Sequence, residues 1–319
     1  MSDDAINKKH VVILGAAGFV GRACVRAFTK LNSEYEISCV VRKEIPELGS
    51  VKQIIGDIRN FDSRRLPNTP HVIVHLAVKQ IDSDGSGYWD INVNGTDAIL
   101  NNLNEYTLGV IYNSSMSVYG QDEQNNITEE CVCNPTTLLS QSRYAAENLI
   151  LAQSEKKNIS AYLMRPRFVI GCGDQFVLPK LKSLAEKRIS LNNGKPRYSV
   201  IHIDDYAQVI TSLTTNMHEK ENNKILRTAL NIGYAEPLPL RDILFGLAKL
   251  EPKFSIPISA SVLRILHRIP IPSLEQLATR LDLIGLSHFG NTQKLQQLLK
   301  LPLLQRSPLD ALAQAISEM

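Results

Sequence analysis

His10-Val11-Val12-Ile13-Leu14-Gly15-Ala16-Ala17-Gly18-Phe19-Val20-Gly21 joins a mostly apolar run directly to three glycines. The run reads as a strand, His10–Leu14, apolar enough to be covered on both faces, as in a parallel sheet. Beyond the glycines the pattern turns amphipathic and predicts a helix over Phe19–Leu31. Gly15 permits a tight turn, Gly18 lets a pyrophosphate approach the backbone, and Gly21 lets the helix pack closely on the sheet. The start of that helix favours negative charge. Taken alone, the triplet is also a plain strand–turn–helix corner. Between an apolar strand and an amphipathic helix it reads as a dinucleotide-binding loop, with Ala17, Phe19 and Val20 as its further members.

The same rhythm continues outward. Further strands are expected at Glu36–Val41, Val51–Ile55, His71–Leu76, Leu108–Asn113 and Ser160–Met164, and helices at Tyr88–Glu105 and Leu138–Lys156. Alternating strands and helices predict an α/β chain, a Rossmann-type doubly wound parallel sheet. After Arg165 prolines rise and strands thin out. Arg197–Ile203 and Ala229–Ile232 read as strands; Val177–Lys187, Asp205–Met217, Leu240–Leu250, Ser261–Ile269, Leu274–Leu283, Thr292–Leu299 and Pro308–Ile316 read as helices. Residues 1–165 are therefore expected to form the dinucleotide-binding Rossmann domain. Residues 166–319 would form a smaller, mostly helical C-terminal substrate lobe, interleaved with the first through strands near 197–203. The segment 261–284, with Ile269-Pro270-Ile271-Pro272, reads as helices packed on that lobe or as an amphipathic surface or lid.

Composition narrows the function. With 44% hydrophobic and 21% charged residues in 319, global disorder is excluded. A net charge of +3 with no clustered basic stripe gives no case for nucleic acid. No apolar run reaches the ~18–20 residues of a membrane span, and the N-terminal stretch lacks the apolar region of a signal peptide, so a cytoplasmic location is expected. Cys24, Cys39, Cys131, Cys133 and Cys172 are odd in number and fit reduced thiols. Cys131 and Cys133 have no second pair at ligand spacing nearby, so no metal is expected.

The second strand ends in Val41-Arg42-Lys43, where an NAD site usually carries an acid for the ribose hydroxyls. A guanidinium suits a 2′-phosphate, so Arg42 favours NADP(H), with NAD(H) the weaker candidate. Asp57, in Gly56-Asp57-Ile58, is placed to accept from the adenine amino group, or is simply an exposed turn residue.

These pieces, in this order, resemble the extended short-chain dehydrogenase/reductases, the branch of nucleotide-sugar epimerases, dehydratases and ketoreductases. Gly15-x-x-Gly18-x-x-Gly21 has that family's spacing, and Gly56-Asp57-Ile58 resembles its adenine-contacting segment. His75-Leu76-Ala77-Val78 resembles the loop passing the cofactor, and Asn92-Val93-Asn94-Gly95-Thr96 the following helix. Ser114-Ser115-Met116-Ser117-Val118-Tyr119-Gly120 resembles the active-site serine stretch. Arg165-Pro166-Arg167-Phe168-Val169-Ile170-Gly171 and Ile201-His202-Ile203-Asp204-Asp205 resemble later substrate-side segments. The resemblance implies an NAD(P)-dependent enzyme of nucleotide-sugar and polysaccharide biosynthesis, working as a homodimer.

One departure stands out. The family pairs a Tyr with a Lys four residues later on a helix: the Lys binds the nicotinamide ribose and lowers the Tyr pKa, and the Tyr exchanges a proton with substrate. Counted from Pro135 and from Glu147, Leu139 holds the Tyr position here and Arg143 the Lys position. Leucine exchanges no proton, and arginine is a poor relay although it can hold ribose hydroxyls. The resemblance makes Ser115 and Arg143 catalytic candidates. Tyr144, the nearest phenol in sequence, is the candidate substitute acid although it lies ~100° around the helix from Arg143, and the other route for the proton is Ser115 with water. Tyr119, the other phenol nearby, reads more readily as a packed aromatic. Ser115 would also meet the substrate oxygen, and Arg167 and Arg197 its diphosphate. The reading is an NADP(H)-dependent 4-ketoreductase or epimerase with an atypical site. The alternative is a catalytically silent NAD(P)-binding regulatory or scaffold protein. His75 and His202 read as structural, and Asp204 or Asp205 as the cap of the following helix.

Overall fold

The structure, a computed structural model, describes residues 8–82, 85–219, 225–259, 261, 262, 265, 281 and 284–319. The expected helices Ser261–Ile269 and Leu274–Leu283, with Ile269-Pro270-Ile271-Pro272, fall largely outside these residues. The chain divides into two compact units. The first comprises Met1–Val118, Thr136–Arg165 and Asp204–Leu230, and the second Tyr119–Pro135, Pro166–Ile203 and Asn231–Met319.

The apolar runs become β1 (Lys9–Leu14), β2 (Tyr35–Val41), β3 (Lys52–Ile55), β4 (His71–His75), β5 (Thr107–Asn113), β6 (Ser160–Pro166) and β7 (Arg227–Ile232), all in the first unit except Pro166, Asn231 and Ile232 at the strand ends. They form one sheet in the order β7-β6-β5-β4-β1-β2-β3. The β1 pairs with β2 and β4 run parallel, as do β2–β3, β4–β5 and β5–β6. The helices are α1 (Phe19–Thr29), α2 (Gly95–Asn101), α3 (Leu138–Lys156) and α4 (Ile203–Glu219). This is the Rossmann-type α/β fold. Alternate residues of the strands, Val12 and Leu14, Val110 and Tyr112, Ala161 and Leu163, share one buried face with Ile99, Leu100, Ala146 and Ile150. The strand order reverses at β1, between β2 and β4, and the carboxyl ends there form the crevice where such sheets bind ligands.

The expected helix Tyr88–Glu105 differs. A short turn, Ser86–Tyr88, passes into a π-helical stretch, Trp89–Asn94, and only then into α2. Gly95 starts α2 where a Cβ would lie 2.7 Å from Ile58 Cδ1. The wider turn carries buried Asn92, whose bonds are described below.

In the second unit, four short strands lie in the order Leu238–Pro239, Arg197–Tyr198, His288–Gly290, Gln124–Ile127. Phe168–Ile170 pairs with Val200–His202, and Ile189–Leu191 with Phe254–Ile256. Pairing of Gln124–Ile127 with His288–Gly290 is what draws Tyr119–Pro135 into this unit. The expected strand Arg197–Ile203 is broken at Ser199, whose N–H donates to His288 O (3.2 Å) while its carbonyl accepts from Phe168 N–H (3.1 Å). The following helix starts at Ile203, so Asp204 and Asp205 lie inside its first turn instead of capping it. The core of this unit gathers Phe168, Leu181, Tyr198, Leu240, Leu244 and Leu312.

Candidate functional site

Gly15 leaves β1 at φ +85°, a left-handed conformation, and a Cβ there would lie 2.7 Å from Ala77 N and 2.8 Å from the Leu76 carbonyl carbon. The Leu76-Ala77-Val78 backbone thus passes directly against the loop, tied by Leu76 N–H to Leu14 O at 2.9 Å. A Cβ on Gly21 would lie 2.2 Å from Gly15 O, so only glycine lets α1 sit this close. Gly18 is different: a Cβ there meets one atom, Gly15 O at 3.4 Å, and otherwise open space. Gly18 is also the N-cap of α1, with no side-chain cap and no acid in the first turn. Ala17 is exposed, and Phe19 and Val20 are half-buried. An uncapped helix start facing open space fits a dinucleotide diphosphate.

Arg42 is exposed just past β2. Asp57, after β3, is clasped by Arg59: Oδ1 accepts from the Arg59 backbone N–H and Nε, both at 3.0 Å, and Oδ2 from Nη2 at 2.7 Å. Arg59 also donates to Asp90 (2.7 Å). These bonds, with a smaller contribution from the Arg42 charge, hold the Asp57 carboxyl down to about 2. Its side chain keeps 26% exposure, so the carboxylate still faces outward, and Ile58 beside it is buried.

Past β5, Ser115 Oγ accepts from Ser117 N–H (3.1 Å), which leaves the hydroxyl hydrogen for another acceptor. Arg143 is buried on α3. Its Nη1 donates to Ser114 O at 2.6 Å and its Nη2 to Gln80 Oε1, while Nε has no partner. Among the described residues no carboxylate lies within ion-pairing distance of it; Glu147, one turn on, is paired with Arg165 at 2.6 Å. Burial works against the Arg143 charge, so a buried guanidinium with an unfilled donor calls for acceptors. Ribose hydroxyls would supply them.

Asn92 fixes this corner. Its Oδ1 accepts from Lys79 N–H (2.7 Å) and its Nδ2 donates to Ser142 Oγ (2.9 Å), tying the Gln80 loop to α3. Gln80 and Ser142 carried no sequence signal; Asn92 lay within a quoted motif without a role. The Thr137–Ser140 capping box sets the start of α3. Leu139 therefore lies half-buried one turn before Arg143.

The phenols do not take its place. No hydrogen bond among the described residues joins Tyr144 to Ser115 or Arg143, and it projects ~100° around the helix from Arg143. Tyr119 OH donates to Asn231 Oδ1 (2.9 Å) in the second unit. Tyr206 OH donates to Asn113 Oδ1 (2.6 Å), and burial pushes its pKa well up. Tyr112 OH is buried without a partner, its pKa also raised by burial. His75 bonds Thr96 Oγ1 (2.9 Å), and burial lowers its pKa to about 3.

In the second unit Arg167 Nη2 meets His288 Nδ1 at 2.8 Å, while Arg197 stacks on the Phe289 ring at 4.7 Å. His288 and Phe289 are successive strand residues and point to opposite faces, so the two guanidiniums do not converge. His202 is buried and bonded to Glu318 at 3.1 Å.

The model of the NAD dependent epimerase/dehydratase family matches residues 11–233. The chain belongs to that family. It is 27% identical, over 74% of its length, to the uncharacterized protein y4nG of Sinorhizobium fredii, of which the match spans 59%. It is 24% identical, over 70% of its length, to a GDP-6-deoxy-D-talose 4-dehydrogenase of Aggregatibacter actinomycetemcomitans, of which the match spans 76%. Its fold is that of UDP-glucuronic acid 4-epimerase from Bacillus cereus in complex with UDP-glucuronic acid and NAD, with a TM-score of 0.72 at 19% identity over 97% of this chain and 98% of that one. Among the described residues, no helix of this family member is long and apolar enough to cross a membrane.

Proposed function

We propose that this protein binds NADP(H), and NAD(H) less tightly, and acts on a nucleotide-activated sugar as a 4-ketoreductase or epimerase with an atypical proton donor. The observation that carries this reading is the glycine loop: backbone fills the space behind Gly15 and Gly21, while Gly18 opens onto an uncapped helix. In this reading Gly15, Gly18 and Gly21 hold the diphosphate, Arg42 the 2′-phosphate and Asp57 the adenine amino group. Arg143 offers its free Nε to the nicotinamide ribose. When bound, the nicotinamide supplies the hydride. Ser115 orients the substrate oxygen and passes it a proton drawn from water, since Leu139 cannot. The unit built on the seven-stranded sheet serves as the cofactor domain and the other unit as the substrate lobe, where Arg167 or Arg197, not both on one face, meets the sugar nucleotide. A cytoplasmic homodimer completes the proposal.

A second reading, a silent NAD(P)-binding regulatory or scaffold protein, is favoured by Leu139 and by the Arg143 bonds to Ser114 and Gln80. Purified protein is titrated with NADPH and NADH by fluorescence, then followed by NADPH absorbance with nucleotide 4-keto-sugars. Binding with turnover supports the first reading; binding without turnover on any such sugar selects the second. Arg42→Ala is expected to reduce the preference for NADPH over NADH by about tenfold or more, the size of one lost charge-assisted contact. Full retention of that preference would remove the NADP assignment.

A further inference from the structure

We propose that one face of the second unit docks on anionic lipid bilayers, independently of what the cofactor loop binds. Among the described residues, fifteen large hydrophobic side chains are exposed, and six of them fall within residues 245–265: Phe245, Leu250, Phe254, Ile256, Val262 and Ile265. The strand Phe254–Ile256 is exposed along its whole length, Phe254 to 65% and Ile256 to 46%. Residues two apart on a strand point the same way, so these two side chains form one apolar stripe. Two large apolar side chains exposed side by side on one strand mark an interaction surface, where single scattered apolar residues would not.

Charge identifies the partner. Lys249 and Lys253 are exposed on either side of Leu250. Arg188 lies alongside, its carbonyl accepting from the N–H of both Lys253 (2.8 Å) and Phe254 (3.2 Å). Lys195 lines a cavity at the strand with Asn192, Asn193, Ser255 and Pro257. Glu186, Asp242 (paired with Arg241 at 3.3 Å) and Glu251 are the carboxylates on the neighbouring segments, and the described stretch 253–259 carries none. An apolar stripe collared by cations matches a surface of anionic headgroups over acyl chains: the apolar side chains enter the interface and the cations meet the phosphates. A second copy of the chain fits poorly, because a two-fold contact sets the same patch against itself and brings cation to cation.

The test is sedimentation of the full chain with vesicles of phosphatidylcholine alone or mixed with phosphatidylglycerol. Pelleting is expected with the anionic vesicles, weakening by about tenfold or more when the salt is raised, as screening requires. The double variant Phe254→Ser/Ile256→Ser is expected to lose vesicle binding by about tenfold while keeping its melting temperature, both side chains being surface-exposed. NAD(P)H binding, read on the same samples, reports separately on the cofactor loop, so either proposal can fail alone. Absence of pelleting, or equal pelleting of the double variant, overturns the inference. So does concentration-dependent self-association that the double variant abolishes, which would assign the face to a second copy.

Discussion

Gly18 and Gly21 sit in one loop but answer to different constraints, and substitution separates them. A Cβ on Gly21 would lie 2.2 Å from Gly15 O, so Gly21→Ala must push α1 off the sheet and lower stability. At Gly18 the backbone is extended (φ −75°, ψ 173°), which any residue adopts, and the added atoms enter open space. Gly18→Val is therefore expected to leave the thermal melt within a few degrees of the parent while removing dinucleotide binding; retained binding would mean that the diphosphate lies elsewhere. Leu139 poses the catalytic question at the same scale. Because Leu139 lies one helical turn before Arg143, Leu139→Tyr returns a phenol to the face that bears the guanidinium. A positioned acid contributes typically ~10²–10⁴-fold, and a gain of that order in NADPH-coupled turnover is expected if the sugar pocket is competent. No gain at saturating substrate would favour the silent reading. This departure is a reading of the sequence, on which the counts from Pro135 and Glu147 agree. What Arg143 does with its donors was not legible, since Gln80 and the Ser114 carbonyl reach it only through the fold.

At the scale of elements, α3 is held to the sheet by a buried ion pair as well as by its apolar side chains. Glu147 on α3 accepts from Arg165 Nε at 3.0 Å and Nη2 at 2.6 Å on β6, with both side chains almost fully buried. Arg143 lies one turn away without a carboxylate of its own, so Glu147 is the negative charge nearest to two buried guanidiniums. Removing one partner of a buried pair typically costs ~3–5 kcal/mol, and Glu147→Gln is expected to fall in that range by urea unfolding. A change below about 1 kcal/mol, the level of an exposed pair, would show that water compensates these cations. The bounds of α3 matched the sequence reading, and the Thr137–Ser140 capping box that sets its start is a local signal. The π-helical stretch Trp89–Asn94 did not announce itself, because it depends on Asn92 reaching Lys79 and Ser142, both remote in sequence. The short strands Gln124–Ile127 and His288–Gly290 were missed for the same reason: each is defined by pairing with the other.

For the whole molecule, the parallel sheet was readable because both-face burial writes itself into the sequence as nearly unbroken apolar runs. The same burial encloses histidines, which sequence patterning registers only as interruptions. His10 on β1 bonds Ser38 Oγ at 2.9 Å, and His218 near the end of α4 bonds His10 O at 3.0 Å. Burial holds both down to about 4, against the opposing pull of Glu36 on His10, and it lowers His71 on β4 and, separately in the second unit, His288. In the unfolded chain these rings titrate near ~6.5. Between that value and about 4 the unfolded state binds more protons, so stability is fully present above ~6.5 and is lost as the pH falls. Each strongly lowered histidine steepens the loss by up to about 1.4 kcal/mol per pH unit. Asp57 acts in a separate window: held at about 2 by Arg59, it withdraws its contribution only below the ordinary carboxylate value near 3.8. Melting temperatures are therefore expected to fall steadily from about pH 6.5 to about 5.5, where ordinary carboxylates remain largely ionised. His218→Gln, which keeps a donor for the His10 carbonyl but cannot titrate, should flatten that slope by about one histidine's share. If its melting temperature tracked the parent's across the whole interval, His218 would carry no part of the acid sensitivity.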